Sequence, residues 1–166
     1  MGKISIESVF LWVILSGAVG VITWILCKRQ RISKSSAVLL PLLLFYLCFT
    51  FTITAVKRFP WKYARYELEL FWSYKAAVNG RTELLWENLW NVMLFIPIGC
   101  MVAGIFKKHP WMGIGFGAVL SAGIEGYQLL AYRGVFEFDD IFHNTVGAVI
   151  GTVLYLILRR VSRDSG

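Results

Sequence analysis

Carboxylate and amide side chains interrupt two long apolar segments in the C-terminal half of the chain. Glu125 and Gln128 lie three residues apart in the first segment, and Asp140 and Asn144 lie four residues apart in the second. At about 100° per residue, each pair falls on one face of a helix. A carboxylate inside a membrane is costly unless it faces protein or water. The two faces therefore predict one polar site inside a membrane protein.

The two carboxylates are the candidate catalytic residues. A sheltered carboxylate can take up and release a proton, so Glu125 or Asp140 could act as a general base. A structural alternative stays open for each of them. Glu125 could hydrogen-bond to neighbouring helices or pair with Arg133. Asp139 or Asp140 could cap the helix that follows, because free N–H groups and the helix dipole favour a negative charge there.

Polar residues around these carboxylates form the candidate ligand-binding set. Arg133 lies between the two segments, and its planar guanidinium group suits a phosphate or a carboxylate. Asn88 and Asn91 lie near the start of an earlier apolar segment, where each could cap the helix or line the same site, with capping favoured for Asn88. Ser121 and Gln128 share the helix face of Glu125, as contacts either to a ligand or to another helix. The set is Asn91, Ser121, Gln128, Arg133 and Asn144.

A metal ion is not predicted, although three acids in the connection are weak candidates for one. Glu137, Asp139 and Asp140 could hold a divalent cation, with Asn144 adding an oxygen ligand. A charged loop without an ion explains the same residues more simply. The three cysteines are dispersed through apolar segments, without the spacing of a zinc site. No cofactor is expected.

The composition is that of an integral membrane protein. Hydrophobic residues make up 57% of the chain and charged residues 16%, and the mean hydropathy is +0.63. Soluble proteins have roughly 45–50% apolar and 25% charged residues. The net charge of +7 is therefore assigned to membrane topology and to contact with headgroups, and no nucleic-acid partner is expected.

The apolar segments predict an all-α membrane protein with five transmembrane helices in a single domain, residues 1–166. The first two segments contain 19 and 20 residues without a charge, which is enough to cross a hydrocarbon core of about 30 Å. Basic residues follow the first segment, so it is predicted to be a retained span. Gly147 and Gly151 predict close helix packing in the last span. The predicted spans are 9–27, 37–56, 88–106, 111–130 and 141–158.

The connection 57–87 mixes aromatic and charged residues, a combination typical of the membrane–water interface. Two interpretations stay open for it. It could lie on the membrane surface with residues 68–72 (LELFW) dipping into the headgroups, or it could be a plain loop.

The basic residues predict an N-terminus outside and a C-terminus inside. Nine of the 17 fall in short segments on the predicted inner side, whereas those on the outer side are spread over the long connection, with Lys3 and Arg133 besides. This topology brings the polar ends of the last three spans to the outer face and predicts a shallow, outward-open pocket. The inner residues are Lys28, Arg29, Arg31, Lys34, Lys107, Lys108, Arg159, Arg160 and Arg163.

Residues 85–155 resemble the VanZ-like family. The resemblance is carried by NVMLFIPIG at 91–99, by the Ser121, Glu125 and Gln128 spacing, and by Arg133 with the pattern from Glu137 to Gly147 (ExxDxxxNTVG). LELFW is similar to the segment that leads into this region in the family. Glu137 stands where many relatives have Asp. The first two spans match only in hydrophobicity.

The resemblance implies a multi-pass protein of the bacterial cytoplasmic (inner) membrane, linked to low-level teicoplanin resistance. It carries over no established activity, and three functions stay open. The pocket could bind an anionic lipid or surface amphiphile, such as a lipid-linked envelope precursor or a lipoglycopeptide. The chain could be a hydrolase or transferase that acts on an envelope lipid, with Glu125 or Asp140 as general base. It could also be a structural partner in a membrane complex. Whether the chain is an enzyme, and its oligomeric state, stay undecided.

Overall fold

The computed structural model describes residues 5–56, 58 and 60–164, and 77% of these residues are helical. Lys3 and Lys57, which the topology prediction counts on the outer side, lie outside the described residues, as does the side chain of Arg163. The described part contains six α-helices, a π-helical turn and two short strands. These are α1 (Ile6–Lys28), α2 (Lys34–Phe51), the π turn (Thr52–Val56), β1 (Tyr66–Glu67), α3 (Trp72–Val78), α4 (Glu83–Ile105), α5 (Met112–Leu130), β2 (Phe136–Glu137) and α6 (Phe138–Asp164).

The all-α prediction is confirmed. Four helices in the described part of the chain are long and apolar enough to cross a membrane: α1, α2 with its π turn, α4 and α6. The predicted fourth span corresponds to α5, which is not among these four. Its 19 residues include Glu125, Gln128 and several glycines, which lower its mean hydropathy.

The helices extend beyond the predicted spans wherever charged residues continue the helix. α4 begins at Glu83 rather than at residue 88, because the acidic first turn is compatible with the positive end of the helix dipole. α6 begins at Phe138 and continues through the basic C-terminal residues to Asp164. The apolar segments thus located the helices, whereas the start of α4 and the end of α6 lie among charged residues outside the apolar part.

A proline inside α2 creates the contact that joins α1 to it. Pro41 has no N–H, so the carbonyl of Ala37 loses its partner within the helix. Thr23 of α1 supplies the missing donor, with 2.9 Å between its Oγ1 and the Ala37 oxygen. Trp12 of α1 packs edge-on against Phe45 of α2, with 6.0 Å between the ring centres.

The centre of the molecule is the seam between α4 and α6. A Cβ atom added at Gly147 would collide with the carbonyl of Val92, and one added at Gly151 would collide with the carbonyl of Ile96. The two helices therefore approach each other more closely than any residue with a side chain would allow. Beside this seam lies the apolar core, which includes Phe95, Ile98, Val102 and Ile124.

α5 runs antiparallel beside α6 along most of its length. Gly113 faces Thr152, Gly117 faces Ala148, and Ser121 is hydrogen-bonded to Asn144. Successive turns of α5, followed along the chain, thus contact successive turns of α6 in the reverse order.

The connection between α2 and α4 folds back onto the helix ends. β1 pairs in parallel with β2, Tyr66 opposite Phe136 and Glu67 opposite Glu137, and α3 packs on α4. Several of its aromatic side chains, among them Trp61 and Tyr63, are exposed. The connection is thus a folded cover at this end of the bundle rather than a plain loop.

Candidate functional site

Glu125 connects α5 to the residue that precedes α6. Its Oε2 accepts a hydrogen bond from the backbone N–H of Glu137 at 3.0 Å, and its Oε1 accepts one from Gln128 at 3.3 Å. Only 1% of Glu125 is exposed. This carboxylate is therefore part of the support beneath the connection between the two helices.

Gln128 holds the π turn that ends α2. Its Nε2 donates to the carbonyl of Thr54 at 3.1 Å. A π turn shifts the helical hydrogen-bond register and leaves carbonyls to be satisfied by other groups. Arg133 satisfies another one, because its guanidinium group donates to the carbonyl of Val56 at 2.6 Å. Arg133, predicted to bind an anionic ligand, is thus used to hold the end of this turn.

Asp140 joins three parts of the chain. Its Oδ1 accepts a hydrogen bond from Nδ2 of Asn91 at 2.7 Å, and its Oδ2 lies 3.7 Å from Nη2 of Arg58. Arg58 was missed as a site residue in the sequence, where it was counted only as one basic residue of the connection. The sequence could have indicated Arg58, because it follows directly after the second apolar span. In the predicted topology, that end of the span lies on the same side of the membrane as the polar ends of the last three spans.

Glu137 is bound through its backbone N–H to Glu125 and lies near enough to Asp140 for their charges to interact. Its Oε2 accepts a hydrogen bond from Nε1 of Trp72 at 3.2 Å. Burial, and next to it the negative charge of Asp140, raise the pKa of Glu137 to about 7, although Arg58 and the Trp72 hydrogen bond act in the opposite direction. Glu137 is therefore able to change its protonation state near neutral pH.

Ser121 and Asn144 pair with each other. Nδ2 of Asn144 donates to Oγ of Ser121 at 2.8 Å, and both side chains are buried. Oδ1 of Asn144 and Oε1 of Gln128 have no hydrogen-bond partner among the described residues. The Ser121–Asn144 pair links α5 to α6.

Asp139 caps a helix other than the expected one. Its carboxylate accepts hydrogen bonds from the backbone N–H groups of Phe71 and Ser73 and from the Ser73 hydroxyl group, at the start of α3 rather than of α6. Asn88 donates to the Ser73 hydroxyl oxygen at 2.9 Å, and α4 begins five residues before Asn88, so the predicted cap at Asn88 is wrong. His143 accepts or donates at Tyr74, with 2.8 Å between Nε2 and the hydroxyl oxygen.

The acids of the connection point to different elements. Asp139 binds the start of α3, Glu137 binds Trp72, and Asp140 binds Asn91. In the part of the chain that the structure describes, no three His, Cys, Asp or Glu side chains are grouped to hold a metal ion.

A pocket of about 930 Å³ lies between the end of α2, the start of α4 and the connection from α5 to α6. One part of its wall is apolar and the other part carries charge. Asn91 and Asp140 are the predicted site residues in this wall; of the described residues, Glu125, Ser121, Gln128, Arg133 and Asn144 do not line it. The apolar part comprises Tyr46, Phe49, Ile53, Trp61, Trp90, Met93, Leu94, Gly134 and Val135, and the polar part comprises Thr54, Arg58, Glu87, Asn91, Glu137 and Asp140.

Gly134 lies in the pocket wall at a position that only a glycine fits. Its φ of +100° is unfavourable for any residue with a side chain. A Cβ atom there would also lie 2.9 Å from Cδ of Arg58 and close to Oε1 of Gln128. The glycine thereby allows Arg58 to reach Asp140.

Helices of membrane-spanning length, packed closely and enclosing a pocket at one end of the bundle, define a helical membrane protein. Residues 37–159 match the VanZ/LLP1 family, which is about three quarters of the chain, and the chain belongs to this family. The match begins in α2 and so extends further than residues 85–155. No curated protein and no solved structure matches the chain.

Proposed function

We propose that this protein binds an acyl-chain amphiphile in the pocket between α2 and α4, at the outer surface of the bacterial cytoplasmic membrane. The observation that carries the proposal is the two-part wall of one pocket. Aromatic and aliphatic side chains such as Phe49, Ile53 and Met93 suit acyl chains, and the charged part around Arg58 suits a headgroup. The volume of about 930 Å³ is within the usual range for pockets that bind small molecules.

The proposal includes five spans with the N-terminus outside. Support for α5 as a span comes from its pairing with α6, because Gly113 faces Thr152 near one end and Glu125 binds Glu137 near the other. A helix that accompanies a spanning helix in this way crosses the same thickness. The short inner segments, rich in Lys and Arg, support the orientation.

The headgroup is proposed to carry a phosphate or another anionic oxygen group. Among the described residues, Arg58 is the only cation in the pocket wall, and its side chain is 37% exposed. Its guanidinium group can bind two oxygens at once. This role was expected for Arg133, which is held by the carbonyl of Val56 instead.

The link to teicoplanin resistance is proposed on the family alone. An amphiphile-binding protein at the outer membrane surface could sequester a lipoglycopeptide or a lipid-linked envelope precursor. Either ligand combines an acyl chain with a polar group, as the pocket wall requires. Membrane lipids would then be the competing ligands.

A second candidate function is hydrolysis or transfer on an envelope lipid. The observation that favours it is that Glu137 lies in the pocket wall with a pKa of about 7, as a general acid or base at neutral pH requires. Asp140 lies in the same wall, whereas Glu125 is enclosed behind it. Glu137 is therefore a better candidate for the base than Glu125. An enzyme would convert the bound lipid and would lose turnover, but not binding, in Glu137→Gln.

The binding proposal is tested by mass spectrometry of the lipids that copurify with the protein. Met93→Trp should exclude the acyl chain and reduce the bound amphiphile, because Met93 lines the pocket. Val119→Trp is the matched control, since Val119 is 75% exposed on α5 and lies away from the pocket. Equal amounts of amphiphile on both variants and on the wild type would contradict the proposal.

A further inference from the structure

We infer that the pocket selects an amphiphile whose headgroup carries a primary ammonium group next to its phosphate, as in a phosphoethanolamine lipid. This inference rests on the proposed amphiphile binding and names the class of ligand. It comes from the balance of charges in the pocket wall, and from which of those charges already have partners.

The charged part of the wall contains more acids than bases. Three acids line it, namely Glu87, Glu137 and Asp140. Among the described residues, the only base in this wall is Arg58. A headgroup with only a negative charge would be attracted by Arg58 and repelled by three carboxyl groups. A headgroup with only a positive charge would be attracted by the carboxyl groups and repelled by Arg58. A headgroup with both charges can place each one against its opposite.

The existing hydrogen-bond and ion-pair partners of these groups indicate which of them could bind the positive end of such a headgroup and which the negative end. Both oxygens of Asp140 are engaged, one by Asn91 and the other by Arg58. Glu137 uses only Oε2, for Trp72. Glu87 makes no hydrogen bond or ion pair with any described residue, and its side chain is exposed at the start of α4. Among the described residues of the wall, the carboxylate oxygens left for a ligand are therefore those of Glu87 and Oε1 of Glu137.

These acceptors suit an ammonium group with N–H donors. A primary ammonium group has three donors and can therefore donate to more than one carboxylate oxygen. A quaternary ammonium group has none, and would rely on charge and on aromatic contacts alone. Arg58 lines the same pocket, and the guanidinium donors that do not face Asp140 are then available for the phosphate.

The test compares three lipids with identical acyl chains and phosphoethanolamine, phosphoglycerol or phosphocholine headgroups. Each is added to the purified full-length protein in detergent, and binding is measured by native mass spectrometry. We expect the phosphoethanolamine lipid to bind about tenfold more tightly than the other two, the size of effect typical of a charge-assisted hydrogen bond. Equal or tighter binding of the phosphoglycerol or phosphocholine lipid would overturn the inference.

Variants then locate the selectivity. In the double variant Glu87→Gln, Glu137→Gln the preference for phosphoethanolamine should disappear while the phosphoglycerol lipid still binds. Glu83→Gln is the matched control, because Glu83 is an exposed acid one turn before Glu87 on the same helix and does not line the pocket. A preference that persists in the double variant, or that is lost in Glu83→Gln, would also overturn the inference.

The same experiment separates this inference from the proposal beneath it. If Met93→Trp abolishes binding of all three lipids but the wild type does not discriminate among them, the pocket binds amphiphiles and only the selectivity is wrong. If no lipid binds, or Met93→Trp binds lipids as the wild type does, amphiphile binding in this pocket is itself wrong.

Discussion

The backbone N–H of Glu137 donates to Oε2 of Glu125 across 3.0 Å, so a carboxylate near the end of α5 holds the residue that precedes α6. Glu137 carries its own carboxyl group into the pocket wall, and so does Asp140 in the first turn of α6. Glu125 thus acts on the pocket from behind, by placing other acids there.

Replacing Glu125 separates this supporting role from a catalytic one. Glu125→Gln keeps an oxygen acceptor for the Glu137 N–H but places an amide group opposite the Gln128 donor, so we expect a smaller loss of stability than in Glu125→Leu, with unchanged lipid binding. Glu125→Leu leaves that N–H without an acceptor, at a cost of about 1–3 kcal/mol. Thermal unfolding in detergent, followed by tryptophan fluorescence, measures the difference. If Glu125→Gln abolished turnover of a lipid while binding was intact, Glu125 would have a catalytic role in addition to its supporting one.

The α4–α6 seam predicts opposite effects for glycines of the same chain. Gly147→Ala and Gly151→Ala force a methyl group against the Val92 and Ile96 carbonyls, so we expect each to destabilise the protein by about 1–3 kcal/mol or more. At Gly115 and Gly123 of α5 nothing lies within 4 Å of an added Cβ, so Ala there should be neutral or slightly stabilising. Unfolding temperatures of the four variants test this. Equal effects at all four positions would argue against the close approach.

Thr23 and Pro41 predict a coupling between α1 and α2. Thr23→Val removes the donor to the Ala37 carbonyl and should cost about 1 kcal/mol, whereas Thr23→Ser keeps the donor and should cost less. Pro41→Ala restores an N–H that can bind the same carbonyl. In the Pro41→Ala background, Thr23→Val should therefore have a smaller effect. A double-mutant cycle measures this coupling, and purely additive effects would show that the two residues act independently.

Glu137 predicts how stability depends on pH. Its pKa is raised to about 7 in the folded protein from an ordinary 4.5, so the unfolded chain releases this proton at lower pH than the folded protein does. Stability should then fall as pH rises from about 4.5 to 7, because the folded protein binds more protons in that window. With screening by solvent allowed for, the loss is about 1 kcal/mol, or roughly 2–4 °C in Tm.

Glu137→Gln removes the titrating group and serves as the comparison for that experiment. Its unfolding temperature should change less than that of the wild type between pH 5 and pH 8, and it should exceed the wild-type value at pH 8. Glu83→Gln, at an exposed position outside the pocket, should keep the wild-type dependence. Parallel curves for the wild type and Glu137→Gln would assign the dependence to another group.

The long apolar segments by themselves determined that this is an all-α membrane protein and where its long helices lie. Hydrophobicity acts locally, so 19 or 20 uncharged residues predict a span whatever lies around them. Helical periodicity likewise placed Glu125 with Gln128, and Asp140 with Asn144, on common faces. The ordered pattern of Asn91, Glu125, Asp140 and their neighbours indicated the VanZ-like family, which the match over residues 37–159 confirms.

Which side chains meet was decided by the tertiary structure. Asp139 and Asp140 are adjacent in sequence but point about 100° apart on α6, so one caps α3 and the other binds Asn91. Arg58, rather than Arg133, is the cation in the pocket wall, because the connection after α2 folds back over the pocket and Arg133 binds the Val56 carbonyl. A helix face can be read from spacing alone, but the group opposite it depends on how distant segments pack. The sequence by itself therefore determined the helices and their polar faces, and the packing of the connection decided which acids line the pocket and which cation joins them.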